Sequence, residues 1–402
     1  MAPGPGRADA MQPGYFHMLE TAGLPSPAYV IDRARIEHNC RILRRIADEA
    51  GLKVLLALKA FSTFAVADII ARYLDGTAAS GLHEARLGKT RFGGETHTFA
   101  PGLKSADLDD ICRYSDHLIF NSLTQYRRFA PLLEGRSGPE PGLRLNPHHR
   151  EVANPLYDPA GPWSRLGIDA ASLTPDDMAP FAGIHVHALC DHGIDAFARY
   201  LEAVETRFAL LFPAIGWINL GGGVLFTEDG FPVDQAIALL RGFRERTGLA
   251  VYLEPGTAVA LHAGAVVAEV LDVGVTGAPV IVTDASATCH MPDVLEAPFT
   301  PECLGAKTLP RDLEPRDVND PNVARVGGPT CLAGDTIGTY RFDRLPDVGD
   351  RLVFLDLGYY TNVKATTFNG TPLPALVIWD SRTGETGVVR EFGYEDFESR
   401  LG

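Results

Sequence analysis

One rhythm limits what this chain can become. Short apolar runs recur at residues 54–58, 77–80, 96–100, 117–121, 142–146, 183–188, 217–220 and 251–254. Most are separated by a helical pattern, as at 64–73, 82–92 and 194–208. Strands that alternate with helices pair in parallel, and eight such units imply a (β/α)8 barrel. A short strand at 27–32 and an amphipathic helix at 33–50, with Ile36, Cys40, Leu43 and Ile46 at helical spacing, precede the rhythm. Past residue 262 the texture changes to β-branched, alternating runs at 265–273, 278–284, 351–357, 374–379 and 386–391, divided by Gly, Pro and Asp. These predict an all-β second domain. The Pro- and Asp-rich stretch 291–322 reads as loop. The expected fold is thus α/β, a TIM-like barrel over residues 33–262. A β domain is assembled from 14–32 and 263–402, and residues 1–13 form a disordered leader.

Several runs end in residues that carry chemistry: Lys59, Asn121, Arg144, His185, His187, Gly221 to Gly223 and Glu254. Barrel active sites lie at the C-terminal ends of the strands, so this placement marks them as functional candidates. In Val54-Leu55-Leu56-Ala57-Leu58-Lys59-Ala60-Phe61-Ser62 an apolar run delivers a lysine. Only 6 of the 36 basic residues are lysines, so this is not surface filler. Desolvation disfavours an ammonium and leaves the neutral, nucleophilic amine that Schiff-base enzymes use. The plain alternative is a strand-end lysine that snorkels to solvent.

The other candidates carry their own alternatives. Leu220-Gly221-Gly222-Gly223 lets backbone N–H groups approach an anion, and a phosphate is the natural guest at the top of strand seven. Glu254-Pro255-Gly256 could hold a protonated ring nitrogen, or could be a solvated strand end. His185 and His187 share a strand face and read as a metal pair, as a histidine stacked on an aromatic cofactor, or as satisfied interior side chains. No second cluster with metal-ligand spacing accompanies them, so no metal is expected. Cys331, within Gly328-Pro329-Thr330-Cys331-Leu332-Ala333-Gly334-Asp335, could be a proton donor, a nucleophile or inert, and Asp335 could grip a cation. Tyr360 offers a phenol.

The totals exclude other classes. The 402 residues carry a net charge of −15 with no basic run, which argues against nucleic acid. No apolar run reaches membrane-span length and no signal-peptide core is seen, so a soluble cytoplasmic protein is expected. The 6 scattered cysteines, without CxxC, suit a reducing compartment.

Together these residues resemble the fold-type III pyridoxal-phosphate decarboxylases, the alanine-racemase-like barrel group, over about residues 25 to 395. Within it they are most similar to the carboxynorspermidine/carboxyspermidine decarboxylase type. The motifs that carry the resemblance include Leu56-Ala57-Leu58-Lys59-Ala60-Phe61-Ser62, Glu84-Ala85-Arg86-Leu87-Gly88, Arg165-Leu166-Gly167, His185 through Cys190, and Ala287-Thr288-Cys289-His290-Met291-Pro292-Asp293. The resemblance implies pyridoxal 5′-phosphate as cofactor, bonded to Lys59. Glu254 would meet the ring nitrogen, His185 its face and Arg144 its ring side. Gly221, Gly222, Gly223, Gly256 and Tyr360 would line the rest of its site. Cys331 would reprotonate Cα. Asp293, Asp335 and Thr257 would contact substrate, with Cys331 and Asp335 supplied by the second subunit of a homodimer. The implied reaction is decarboxylation of an amino acid bearing a distal amine, carboxynorspermidine, carboxyspermidine or a related compound. The alternatives are a diaminopimelate- or ornithine-type decarboxylase, a non-catalytic pyridoxal-phosphate binder, or a metal-dependent barrel hydrolase. Thr257 departs from both relatives' patterns, which place Arg or Glu there, and Ala188 stands where ornithine-type relatives place Ser.

Overall fold

The computed structural model describes residues 15–135, 137–314 and 317–402, so the expected leader lies outside the described residues. The chain divides into two compact units. One runs from Ile36 to Val259, and the other combines the residues up to Arg35 with Ala260–Gly402.

The chain opens with strand β1 (Ala28–Asp32) and an 18-residue helix (Arg33–Ala50). There follow β2 (Lys53–Ala57), β3 (Gly76–Ala79), β4 (Glu95–Phe99), β5 (His117–Phe120) and β6 (Glu140–Asn146). A two-residue strand, β7 (Ile168–Asp169), pairs with the end of β6. Then come β8 (Gly183–His185), β9 (Trp217–Asn219) and β10 (Ala250–Leu253). β2, β3, β4, β5, β6, β8, β9 and β10 pair in that order, all in parallel, and β10 returns to β2. This is the expected closed eight-stranded barrel. Lys59, Asn121 and Glu254 stand just past the ends of their strands, whereas Arg144 and His185 lie within theirs and face each other in the ladder.

Inside the barrel, side chains from alternate strand positions fill the lumen, as barrels of this size require. Leu55, Ala78, Ile119, Trp217 and Tyr252 form one cluster. Trp217 dominates it because two neighbours have no side chain. A Cβ at Gly183 would lie 2.0 Å from the indole and one at Gly142 2.5 Å. His97 stacks on His117 with ring centroids 3.9 Å apart, and His117 meets the Trp217 ring edge-on at 4.9 Å.

The second unit is a mixed sheet. Its strands are β1, β11 (Gly264–Thr276), β12 (Ala278–Thr283), β13 (Ala306–Leu309), β14 (Val323–Gly327), β15 (Thr336–Phe342), β16 (Arg351–Leu355), β17 (Ala375–Trp379) and β18 (Thr386–Arg390). β11 organises it. Its first half pairs with β1 and β16, and after a bulge near Val270 its second half pairs with β12. Alternation along the strand feeds two cores. Val266, Ala268 and Val270 pack with Tyr29 on one face, and Ala265 and Val267 with Val30 and Trp379 on the other.

Reading 291–322 as loop misses part of this sheet. The stretch holds a helical turn at Asp293–Glu296 and strand β13, which pairs with β15. β14 and β15 were also not foreseen. Gly338 interrupts the β15 pattern, and the fold needs that glycine because a Cβ there would meet Thr300 Cγ2 at 2.3 Å. Among the described residues no helix is long and apolar enough to cross a membrane.

The buried His117 gives a pH test. Burial first, and His97 second, push its pKa down from 6.5 to about 3. The unfolded chain accepts a proton near 6.5 that the folded barrel refuses, so stability falls as pH drops through this window. Urea unfolding at pH 7 and pH 5 should show wild type losing about 2 kcal/mol more than His117→Gln, at ~1.4 kcal/mol per pH unit. A pH-independent offset alone would remove the titration argument.

Candidate active site

The site is built where β2, β10 and β9 end. Lys59 stands on a turn fixed by Leu58 N–H to the Ala78 carbonyl (3.0 Å) and Ala60 N–H to the Ala57 carbonyl (3.1 Å). The Ala57 N–H also donates to the Pro255 carbonyl at 3.0 Å, tying this turn to Glu254-Pro255-Gly256. Gly256 is obligatory, since a Cβ there would lie 2.5 Å from that of Ala60. Lys59 is reachable by solvent yet ringed by protein. Burial and then the Arg144 guanidinium lower its pKa from 10.5, against the pull of Glu254.

Glu254 is the electrostatic centre. His185 Nε2 lies 3.1 Å from its Oε2, and Asn219 Nδ2 donates to its Oε1 at 2.6 Å. Burial alone would raise its pKa, but His185, His97 and Lys59 hold it at about 2, so the carboxylate is ionised. Arg144 is buried, with its guanidinium 4.3 Å from the Phe99 ring centroid. Burial brings its pKa down to about 10, with Glu254 opposing. Phe99 also stacks on His185 at 5.6 Å. Burial lowers the pKa of His185, which favours the neutral imidazole.

All three glycines after β9 are demanded by packing. A Cβ on Gly221 would strike His187 (2.5 Å), one on Gly222 the Glu254 carbonyl (2.2 Å), and one on Gly223 the Leu189 carbonyl (2.0 Å). Two of the turn's amides are already engaged. Gly221 N–H donates to Asn219 Oδ1 (2.9 Å) and Gly222 N–H to His187 Nδ1 (3.2 Å). His187 therefore caps the glycine turn. Its partner His185 serves Glu254, and the two do not act as a pair.

Thus Lys59, Arg144, His185, Gly221 to Gly223, Glu254 and Gly256 come together within one unit, and Thr257 begins the short helix that follows. Sequence reasoning missed three supports. Asn219 and Phe99 touch the site directly. The Tyr200 hydroxyl sits between the carbonyls of Val186 (3.0 Å) and Leu220 (2.9 Å), its single proton shared between these two strand ends. A tyrosine on the buried face of the Ile194–Phe208 helix was the available signal. Asn121 clamps the Arg165–Gly167 segment, accepting from Gly167 N–H (2.7 Å) and donating to the Arg165 carbonyl (3.0 Å).

The remaining candidates lie in the other unit. Cys331 is an exposed free thiol whose backbone N–H donates to Asn369 Oδ1 at 2.9 Å. Asp335, expected to grip a substrate amine, is instead engaged by the protein itself. It is buried and accepts from Ser286 Oγ (2.9 Å), Thr288 N–H (3.0 Å) and Thr330 Oγ1 (2.7 Å), so it fastens the Cys331 loop to the Ala287–His290 turn. Asp293 already holds an ammonium, that of Lys364 at 2.5 Å, which also pairs with Glu296. Tyr360 is half-buried in the left-handed region at φ 51°, a strained conformation of the kind that clusters at functional sites.

The groups in the barrel fit a pyridine aldehyde. They supply an amine for the aldehyde and an ionised carboxylate for a protonated ring nitrogen. The His185 imidazole completes the group, with its Nδ1 buried and without a hydrogen-bond partner.

Comparison with known proteins agrees. Residues 28–358 match the family described as "Pyridoxal-dependent decarboxylase, C-terminal sheet domain". The chain is 38% identical to the carboxynorspermidine/carboxyspermidine decarboxylase of Campylobacter jejuni, covering 94% of this chain and 98% of the relative. It is 39% identical to the carboxyaminopropylagmatine decarboxylase of Synechocystis sp., over 95% and 96%. The crystal structure of the Campylobacter jejuni carboxynorspermidine decarboxylase complexed with norspermidine superposes with a TM-score of 0.85 at 37% identity, over 94% of this chain and 100% of that one. Diaminopimelate decarboxylase from Helicobacter pylori, at 16% identity and a TM-score of 0.76, shares the fold. The chain belongs to the pyridoxal-dependent decarboxylases, with pyridoxal phosphate as its cofactor.

Proposed function

We propose that this chain decarboxylates an amino acid carrying a distal amine, with carboxynorspermidine and carboxyspermidine as the preferred substrates. The observation that carries the reaction type is the grouping of Lys59 and Glu254 across the β2–β10 seam, an amine of lowered pKa beside an ionised acid. The substrate class rests on relatives 38% and 34% identical that bear this activity. A second reading, carboxyaminopropylagmatine, is favoured by the relative at 39%.

When bound, the cofactor supplies an electron sink for the Cα–CO2 bond. The protein's part is to hold and orient. Lys59 would hold the cofactor through its aldehyde and would take up the proton balance when substrate binds. Glu254 keeps the ring nitrogen protonated. His185 covers one ring face and Arg144 supports its edge. The Gly221–Gly223 turn, Gly256 and Tyr360 take the phosphate side, with Gly221 and Gly222 already tied to Asn219 and His187. Cys331 delivers the proton to Cα once CO2 has left, and in our reading it comes from the second subunit of a homodimer. Asp335 serves by fixing the Cys331 loop. Asp293 is our candidate for meeting the substrate's distal amine, and the Lys364 ammonium it binds supports an affinity for amines. Thr257, without charge, packs beside the substrate. A reducing cytoplasm suits six cysteines that form no disulfide.

Pyridoxal phosphate followed by borohydride should label the peptide bearing Lys59, and Lys59→Ala should abolish the label; label on another lysine would refute the assignment. Cys331→Ala should retain cofactor while turnover falls roughly 100-fold, the order for losing a general acid, and product shifts toward transamination; unchanged kinetics and products would remove the role. A panel of carboxynorspermidine, carboxyspermidine, carboxyaminopropylagmatine, diaminopimelate, ornithine, lysine and arginine should release CO2 fastest from the first two. If both are inert, the carboxy(nor)spermidine reading fails, and turnover of carboxyaminopropylagmatine alone establishes the second.

A further inference from the structure

Asn219 ends β9 and is wholly buried. Its side chain faces the lumen, on the same side of the strand as Trp217. Two strong contacts and one long one fix its carboxamide. Oδ1 accepts from Gly221 N–H at 2.9 Å, Nδ2 donates to Glu254 Oε1 at 2.6 Å, and Nδ2 lies 3.4 Å from His97 Nδ1. Turning the amide over would face Nδ2 to the Gly221 N–H and Oδ1 to the Glu254 carboxylate, two repulsions in place of two hydrogen bonds. Only one orientation is allowed, and it presents a donor to the acid.

The floor beneath supports that orientation. His97 turns Nδ1 to this amide and leaves Nε2 on the Glu95 side. That atom is buried without a hydrogen-bond partner, 3.6 Å from Glu95 Oε2, and Glu95 ion-pairs with Lys53. Glu95, His97 and His117 gather metal-type ligand atoms within 4.8 Å of one another. Their geometry argues against an ion. The two rings stack at 3.9 Å with 23° between planes, so their in-plane lone pairs run side by side and do not converge on one centre at about 2.0–2.1 Å.

We propose that Asn219 is a positioning residue that holds Glu254 ionised and aimed at the cofactor's ring nitrogen, with Gly221 and His97 fixing the amide that does so. The proposal rests on the reading of Glu254 as the ring-nitrogen partner. Oε1 is committed to Asn219, so Oε2, the oxygen now at His185, is the one offered to the ring. A charge-assisted hydrogen bond to a buried carboxylate is among the stronger single contacts a protein makes.

The test compares pyridoxal phosphate with its 1-deaza analogue, which has CH in place of the ring nitrogen. Affinities are measured on the full chain for wild type, Asn219→Ala and the isosteric Asn219→Leu. Wild type must first take pyridoxal phosphate onto Lys59; failure there sinks the proposed function itself and is distinguishable from failure of Asn219. In the variants the preference for pyridoxal phosphate over the 1-deaza analogue should fall roughly tenfold, the order for one charge-assisted hydrogen bond. Equal losses for both probes would mean that Asn219 only supports the glycine turn, and an unchanged preference would likewise overturn the proposal. Independently of whether the variants fold, a crystal structure of cofactor-loaded wild type should keep Asn219 Nδ2 on a Glu254 oxygen and Oδ1 on Gly221. Loss of the Glu254 contact would refute it.

Discussion

The barrel closes where β10 meets β2, pairing Tyr252 with Lys53 and Leu253 with Val54. Beyond the last pair the two strand tips remain tied by the backbone, with Ala57 N–H on the Pro255 carbonyl at 3.0 Å and Gly256 against Ala60. On the other side of β10, Glu254 N–H donates to the Gly221 carbonyl at 2.7 Å, and Gly222 packs on the Glu254 carbonyl. Three consecutive strand ends are therefore stitched together by main-chain contacts. These fix the amine, the acid and the glycine turn before any side chain chooses a rotamer. Rigid elements of this kind hold a catalytic grouping more tightly than loops do.

On that frame the charges sort themselves. One carboxylate, Glu254, faces Arg144, Lys59 and His185 in a poorly solvated pocket. Burial works against every charge there, yet the outcomes differ. Glu254 stays ionised because several cationic or donor groups converge on it. Arg144 stays charged because its pKa, even lowered to about 10, remains well above neutrality. Lys59 is the group left to yield, since Arg144 adds its repulsion to the cost of desolvation. The arrangement thereby produces an ionised acid and a more readily neutral amine side by side, which is what bonding an aldehyde beside a protonated pyridine requires.

Much of this was legible in the sequence, for physical reasons. The βα rhythm is strong because parallel strands are buried on both faces, so their apolar runs stand out. A residue just past such a run must lie at the catalytic end of the barrel, which is how Lys59 and Glu254 could be read. What stayed hidden depended on three-dimensional neighbours. Gly142 and Gly183 open two of the expected strands, but why they are glycine is hidden until Trp217 fills the lumen beside them. Asn219 looks like a strand-end polar residue until Glu254 arrives from the next strand. Asp335 reads as a carboxylate free for substrate, because nothing in the sequence announces that Ser286, some fifty positions earlier, folds back onto it. β13 escapes because four residues give little periodic signal, and β14 and β15 because each carries a glycine that breaks the alternation.

The acidic pair on the Asp293–Glu296 turn shows the same balance of charge at the surface of the other unit. Two carboxylates three residues apart on a helical turn face the same way, and close like charges repel. Lys364 bridges both, and those hydrogen bonds raise its pKa against the opposing effect of burial. The pair is thus a working binding site for a primary ammonium, occupied by one of the protein's own.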